Sequence, residues 1–257
     1  MIPAPFKRYN GGKSGNGVYQ TIINLLPPMS RFISPFVGNG GIERRFNLPA
    51  NNYFFDTNPV VVNAWHTVLK GYNKKNPQQK IVIENRDGLT AIAAFKNTDK
   101  TTLIFCDPPY LFDTRVSQQK LYGVHEWSYE QHVKFLNMLK GSTCNIIITH
   151  PPHILYENML TGWSIKDFTY INSAGNKCAD RCWYNYPKPT ILQDFTYLGN
   201  DYRERELIKN KTARHMAKLQ RLPAAERNAI LSAVINKYGN SSIINLLNNG
   251  STNKQIP

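Results

Sequence analysis

Near the middle of the chain, Asp107-Pro108-Pro109-Tyr110 puts a carboxylate, a carbonyl on a stiff backbone and an aromatic face side by side. Two consecutive prolines hold the loop extended, so the Pro108 carbonyl can be aimed into a pocket. A carboxylate and a carbonyl can accept the two hydrogens of one amine, and a phenol ring can lie flat on a planar heterocycle. That set suits chemistry on the exocyclic amine of a planar base. Asp107 and the Pro108 carbonyl take the amine hydrogens, and Tyr110 stacks on the ring. The plainer alternative is a proline-rich turn with a buried tyrosine. No serine or cysteine stands with a partnered base as a nucleophile. Cys178 and Cys182 have no second pair at zinc-ligand spacing, so no metal is expected.

Two glycine-rich loops lie upstream. Gly11-Gly12-Lys13-Ser14 resembles part of a nucleotide phosphate loop, but Lys7 stands where the pattern needs its first glycine, and no strand leads into it. Gly38-Asn39-Gly40-Gly41 follows an apolar run, where glycine lets backbone approach a ligand. The third glycine of the dinucleotide fingerprint is missing. Sixteen positions past Gly40, Asp56 ends a second apolar run and is placed to accept ribose hydroxyls. Together these features predict an adenosine-containing cofactor without a pyrophosphate. Asp87, ending the third run, is placed to meet the adenine edge.

These residues need strands to hold them. The β-rich runs predict strands over 30–36, 53–55, 80–83, 101–106 and 144–149, and later ones over 163–171 and 182–186. Helical stretches fall between them at 17–26, 59–72, 89–95 and 128–140. Strands alternating with helices predict an α/β, Rossmann-like, doubly wound sheet covered on both faces. Ligands of such sheets bind beyond the carboxyl ends of the strands, where Gly38, Asp56, Asp87 and Asp107 all fall. The expected partition is a catalytic domain over 1–200 and a basic helical extension with a polar tail over 201–257.

The chain of 257 residues carries a net charge of +14. A globular protein this basic attracts polyanions, nucleic acid above all. Residues 203–237 alone hold nine Lys/Arg against three Glu. They read as a solvated amphipathic hairpin packed on the core or as a phosphate-contacting surface that includes Arg203 and Arg205, two compatible readings. Arg115, Lys120, Tyr122 and His125 are basic and aromatic residues on the loop after the tetrapeptide, where they could contact a nucleic acid or a base; a solvated loop is the alternative. His150 and His153 flank Pro151-Pro152 and fit a structural turn better than a pocket wall. Four cysteines are too few for a disulfide scaffold and fit a reducing, cytoplasmic setting. No apolar run reaches membrane-span length, and the first residues lack a secretory pattern.

Tyr9-Asn10-Gly11-Gly12-Lys13, Phe36-Val37-Gly38-Asn39-Gly40, Asp56-Thr57-Asn58-Pro59 and the tetrapeptide occur in the order found in Dam-like DNA adenine-N6 methyltransferases, which the chain resembles from about residue 5 to 235. The segments 110–115 and 202–206 are similar to a bacteriophage and prophage branch. The resemblance implies that Tyr9, Lys13, Phe36, Gly38, Gly40, Asp56 and Asp87 hold S-adenosylmethionine. It implies that Asp107, Pro108 and Tyr110 hold an adenine flipped from single- or double-stranded DNA. One departure stands out. Full-length relatives insert a target-recognition domain before the tetrapeptide, whereas here Asp87 and Asp107 are 20 residues apart. Short or relaxed sequence recognition is therefore expected. Adenine in RNA, and a catalytically inactive nucleic-acid-binding module, are the competing expectations. Cytosine and protein-amide targets usually go with Ser or Asn in place of Asp107.

Overall fold

Seven strands form one sheet in the computed structural model, which describes residues 1–7, 11–115, 123–171 and 175–239. They are β1 (Arg31–Ser34), β2 (Asn51–Asp56), β3 (Lys80–Asn85), β4 (Thr102–Cys106), β5 (Asn145–His150), β6 (Ser164–Ile171) and β7 (Lys177–Tyr184), in spatial order β3-β2-β1-β4-β5-β7-β6. The first five pair in parallel, and β7 runs antiparallel to both β5 and β6. The chain winds outward from β1 in one direction and from β4 in the other. The crevice between them is the switch point where such sheets bind ligands. The expected α/β, Rossmann-like fold is what the chain adopts.

The helices cover both faces. On one side α1 (Val18–Ile23) and α2 (Pro59–Lys75) bury Ile22, Trp65 and Leu69 against Phe32, Phe54 and Phe105. On the other, α3 (Gly88–Phe95), α4 (Tyr129–Leu139) and α5 (Ile154–Met159) pack Ile92, Phe135 and Tyr156 against Ile33, Ile104 and Ile148. Adjacent residues of β4 thus serve opposite cores, which is why Leu103-Ile104-Phe105-Cys106 is apolar without alternation. Helix starts are written locally. Asn58 caps α2 ahead of Pro59 at its first position, Asp87 caps α3, and Ser128 with Gln131 forms a capping box on α4.

Some expected boundaries move. β1 stops at Ser34, before Pro35, and α1 is only six residues long. β7 starts five residues earlier than expected, because its polar first half pairs with β6 as a hairpin. The short α5 was not anticipated; the His153 side chain caps it. Downstream, α6 (Tyr202–Gln220) and α7 (Ala224–Tyr238) contain no fully buried residue, as a solvated helical pair would. Among the described residues no helix is long and apolar enough to cross a membrane.

Candidate active site

The loop after β1 turns back on itself at Gly38 and Gly40, whose φ angles are +48° and +63°. At Gly40 a Cβ would lie 2.4 Å from the Trp65 ring, so only glycine fits. Trp65 in turn donates its indole N–H to the Gly38 carbonyl at 2.8 Å. A Cβ on Gly41 would sit 2.8 Å from the backbone nitrogen of Lys13, so the two glycine-rich loops lie backbone against backbone. The Asp56 carboxylate at the tip of β2 accepts the N–H groups of Gly38 at 3.0 Å and Asn58 at 2.9 Å. Burial raises its pKa, and those two bonds oppose the shift. Each oxygen keeps a lone pair for another donor. One oxygen of Asp87 is spent capping α3 through Thr90, and the other has no partner among the described residues.

These groups wall one cavity of about 490 Å³. It collects Lys13, Phe36, Gly38, Gly40, Asp56, Asp87 and Asp107, and it also takes in Glu43, Pro109, His125 and Trp127. Phe36 and Trp127 meet edge to face at 5.3 Å and give it an apolar wall. Glu43 is 2% exposed. It accepts the Ser34 hydroxyl at 2.6 Å, and burial pushes its pKa up to about 7.

At the tip of β4, Asp107 is held from two sides. Oδ1 accepts the Thr149 hydroxyl at 2.7 Å, and Lys13 Nζ lies 2.7 Å from Oδ1 and 3.0 Å from Oδ2. Lys13 also lies 4.6 Å from the centre of the Tyr110 ring and 3.9 Å from Asp180 Oδ2. Tyr110 donates its hydroxyl to that same Asp180 oxygen at 2.7 Å. Burial and the two carboxylates hold the phenol pKa well above its usual value. Asp180 is 1% exposed, and burial pushes its pKa up to about 6. Behind the tetrapeptide, His150 Nε2 accepts the Leu111 N–H at 3.0 Å while its Nδ1 faces the Pro151 carbonyl at 2.7 Å. Those partners assign a neutral ring protonated at Nδ1, and burial holds its pKa well below the usual value. His150, the last residue of β5, therefore fixes the end of the tetrapeptide, His153 caps α5, and neither lines the cavity.

No protein-family model matches the chain, and no curated protein matches its sequence. Solved structures resemble it remotely. Precorrin-8w decarboxylase of Methanobacterium thermoautotrophicum is 14% identical with a TM-score of 0.44, over 72% of this chain and 98% of the other. The magnesium protoporphyrin IX methyltransferase of Synechocystis, solved with S-adenosylmethionine bound, is 12% identical with a TM-score of 0.41, over 65% and 76%. An rRNA methylase of Streptococcus thermophilus is 12% identical with a TM-score of 0.37, over 66% and 92%. At such identities these likenesses settle neither substrate nor reaction.

The expected DNA contacts fare unevenly. Arg115 lies inside the protein: it pairs with Glu126 at 2.9 and 2.6 Å and donates to the Tyr110 carbonyl. Its side chain is 6% exposed, so its donors clasp the loop onto the tetrapeptide and do not reach outward. His125 turns into the cofactor-sized cavity, 3.2 Å from the Thr57 hydroxyl. Arg203 is exposed on α6, whereas Arg205 is half-buried with a 3.5 Å contact to the Gly199 carbonyl. Tyr9, Lys120, Tyr122 and the tail from Asn240 lie outside the described residues. Pro108 is buried, and Pro109 is the proline that lines the cavity. Sequence reading missed Glu43, Trp127, Thr149 and Asp180. For Asp180 a signal existed: it shares one face of β7 with Cys182 and Tyr184, which belong to the core. An acid in register with core residues asks for a partner.

Proposed function

We propose that the chain transfers a methyl group from S-adenosylmethionine to the N6 amine of adenine in DNA, with the base flipped out of its stack. The observation that carries this is the continuity of the site: the Asp107 carboxylate belongs to the same cavity as the Gly38–Gly41 loop and Asp56. The volume lies within the roughly 300–1,000 Å³ of small-molecule sites. Among the described residues four carboxylates (Glu43, Asp56, Asp87 and Asp107) face this cavity against one lysine, Lys13, which favours a ligand carrying positive charge. Asp56 would take the ribose hydroxyls, Asp87 the adenine edge, and Phe36 with Trp127 the purine face. The residues present therefore fit S-adenosylmethionine, which when bound supplies an electrophilic methyl on a sulfonium.

The protein's own contribution is at the target amine. Asp107 and the Pro108 carbonyl accept its two hydrogens, which localises the nitrogen lone pair otherwise delocalised into the ring. The carboxylate also opposes the positive charge that develops on the nitrogen. Thr149 holds Asp107 in one orientation, so the acceptor is in place before the base arrives. Tyr110, tethered at its hydroxyl, presents its ring to replace the lost stacking. The surplus positive charge holds phosphates without reading sequence. Between β3 and β4 the chain has only α3 and short connections, so nothing the size of a recognition domain sits there. A short or relaxed target follows from that architecture.

Transfer of labelled methyl from S-adenosylmethionine to DNA and to RNA, by wild type and Asp107→Ala, tests the proposal. Label in DNA with wild type and a loss of at least about a hundredfold with Asp107→Ala are expected. Label in RNA alone would move the substrate to RNA. Nucleic-acid binding with no label at all would make the chain a binding module.

A further inference from the structure

Lys13 stands where the target amine must go. Its ammonium bridges both oxygens of Asp107, so an incoming amine competes with it for the acceptor. Besides Asp107, Nζ lies 3.4 Å from the Gly11 carbonyl, and the nearest other carboxylate among the described residues is Asp180, its Oδ2 3.9 Å away; a rotation of the lysine tip shortens the Asp180 distance to a charge-assisted bond of about 2.8 Å. Resting on the function proposed above, we infer that Asp180 is a positioning residue: it receives Lys13 when the base amine takes Asp107, and it holds the Tyr110 ring in line for stacking. Lys13 then passes from one carboxylate to the other without leaving the buried site. Keeping a carboxylate beside the buried ammonium throughout avoids the cost of an uncompensated charge.

Among the described residues, the groups facing Asp180 come from several elements. Lys13 comes from the glycine-rich loop, Asp107 and Tyr110 from the segment after β4, Tyr170 from β6, and Cys182 and the Arg181 backbone from β7 itself. Among these described residues Lys13 is the one cation, and the Tyr110 hydroxyl bonds the same oxygen that Lys13 approaches. Asp180 can take Lys13 only when ionised. Burial places that ionisation near pH 6, so release of Asp107 becomes easier as pH rises through that value. Glu43, which titrates near 7, faces the cofactor-sized cavity and keeps its own influence when Asp180 is changed.

The test is methyl-transfer kinetics from pH 5.5 to 8.5 for wild type, Asp180→Asn, Asp180→Glu, Lys13→Met and Asp180→Asn combined with Lys13→Met, with donor affinity measured by titration. Asp180→Asn should lower kcat/KM for nucleic acid about tenfold or more, shift donor affinity less than about twofold, and erase the rise of kcat/KM near pH 6. Asp180→Glu should restore part of the rate and the rise. Asp180→Asn should cost little further in the Lys13→Met background. An equal cost in both backgrounds, or an unchanged pH profile in Asp180→Asn beside an active wild type, would overturn the inference and leave the function standing. Should Asp180→Asn lose donor binding and Asp180→Glu restore neither binding nor rate, the role is structural and the inference fails. A wild type that methylates no nucleic acid would instead overturn the function. In that case ¹⁵N NMR of the Lys13 ammonium on adding S-adenosylhomocysteine and an adenine oligonucleotide still decides: an unmoved signal refutes the transfer of Lys13.

Discussion

Glu43 illustrates how a single buried side chain shapes ligand preference. Its carboxyl is neutral below about pH 7 because burial disfavours the charge, and the nearby Asp107 adds to the effect. A cationic donor favours the ionised form, so by linkage its affinity should weaken as pH falls below 7, by about threefold to tenfold per unit at most. Calorimetric titration at pH 6.0 and 7.5 reads this directly. Glu43→Gln should flatten the dependence, and an identical slope in that variant would contradict the assignment. Thr149 offers a second residue-level test. Thr149→Val removes the 2.7 Å bond to Asp107 and keeps the shape. kcat should fall about tenfold with donor affinity unchanged, since only the acceptor's orientation is lost. Weakened donor binding in that variant would place Thr149 elsewhere in the chemistry.

At the scale of elements, the tips of β1, β2 and β4 bring the site together, and the helix caps share in it. Asp87 both caps α3 and faces the cavity. Asp87→Ala should cost about 1 kcal/mol of stability in urea unfolding, while Asp87→Asn keeps the cap and most of that stability. Both should weaken the donor if the second oxygen of Asp87 meets it; Asp87→Asn binding as wild type would release Asp87 from that role. Gly40→Ala should be harsher, because it combines a φ of +63° with a collision against Trp65. A loss on the order of 2–4 kcal/mol is expected. The same elements show what the sequence made legible. β4 and β5 were readable because both faces are covered, which leaves long apolar runs without alternation. The first half of β7 was not, because Lys177, Cys178 and Ala179 become strand only through their hairpin with β6. Gly38, Asp56, Asp87 and Asp107 could be placed at the cavity from strand ends; Lys13, in a loop that no strand precedes, could not. Arg115 could not: its partner Glu126 lies eleven positions away, and which of them faces inward depends on the path of the loop.

For the whole molecule, the charge of +14 is the dominant long-range feature. Lys211, Arg214 and Lys218 are exposed on α6 at spacings of three and four, which places them along one face of the helix. If that face meets phosphates, replacing the three with Gln should lower the slope of log affinity against log salt by about 2–3. Methylation of a short oligonucleotide at low salt should change little, because none of the three lies in the cavity. An unchanged slope would separate α6 from the nucleic-acid surface and leave the charge around the sheet edge to do that work. The product of the proposed reaction is read most directly by nucleoside analysis with mass spectrometry. DNA incubated with the protein and S-adenosylmethionine, then digested, should yield N6-methyldeoxyadenosine with wild type and none with Asp107→Ala. A methyl group on any other base, or equal N6-methyldeoxyadenosine from both proteins, would contradict the account.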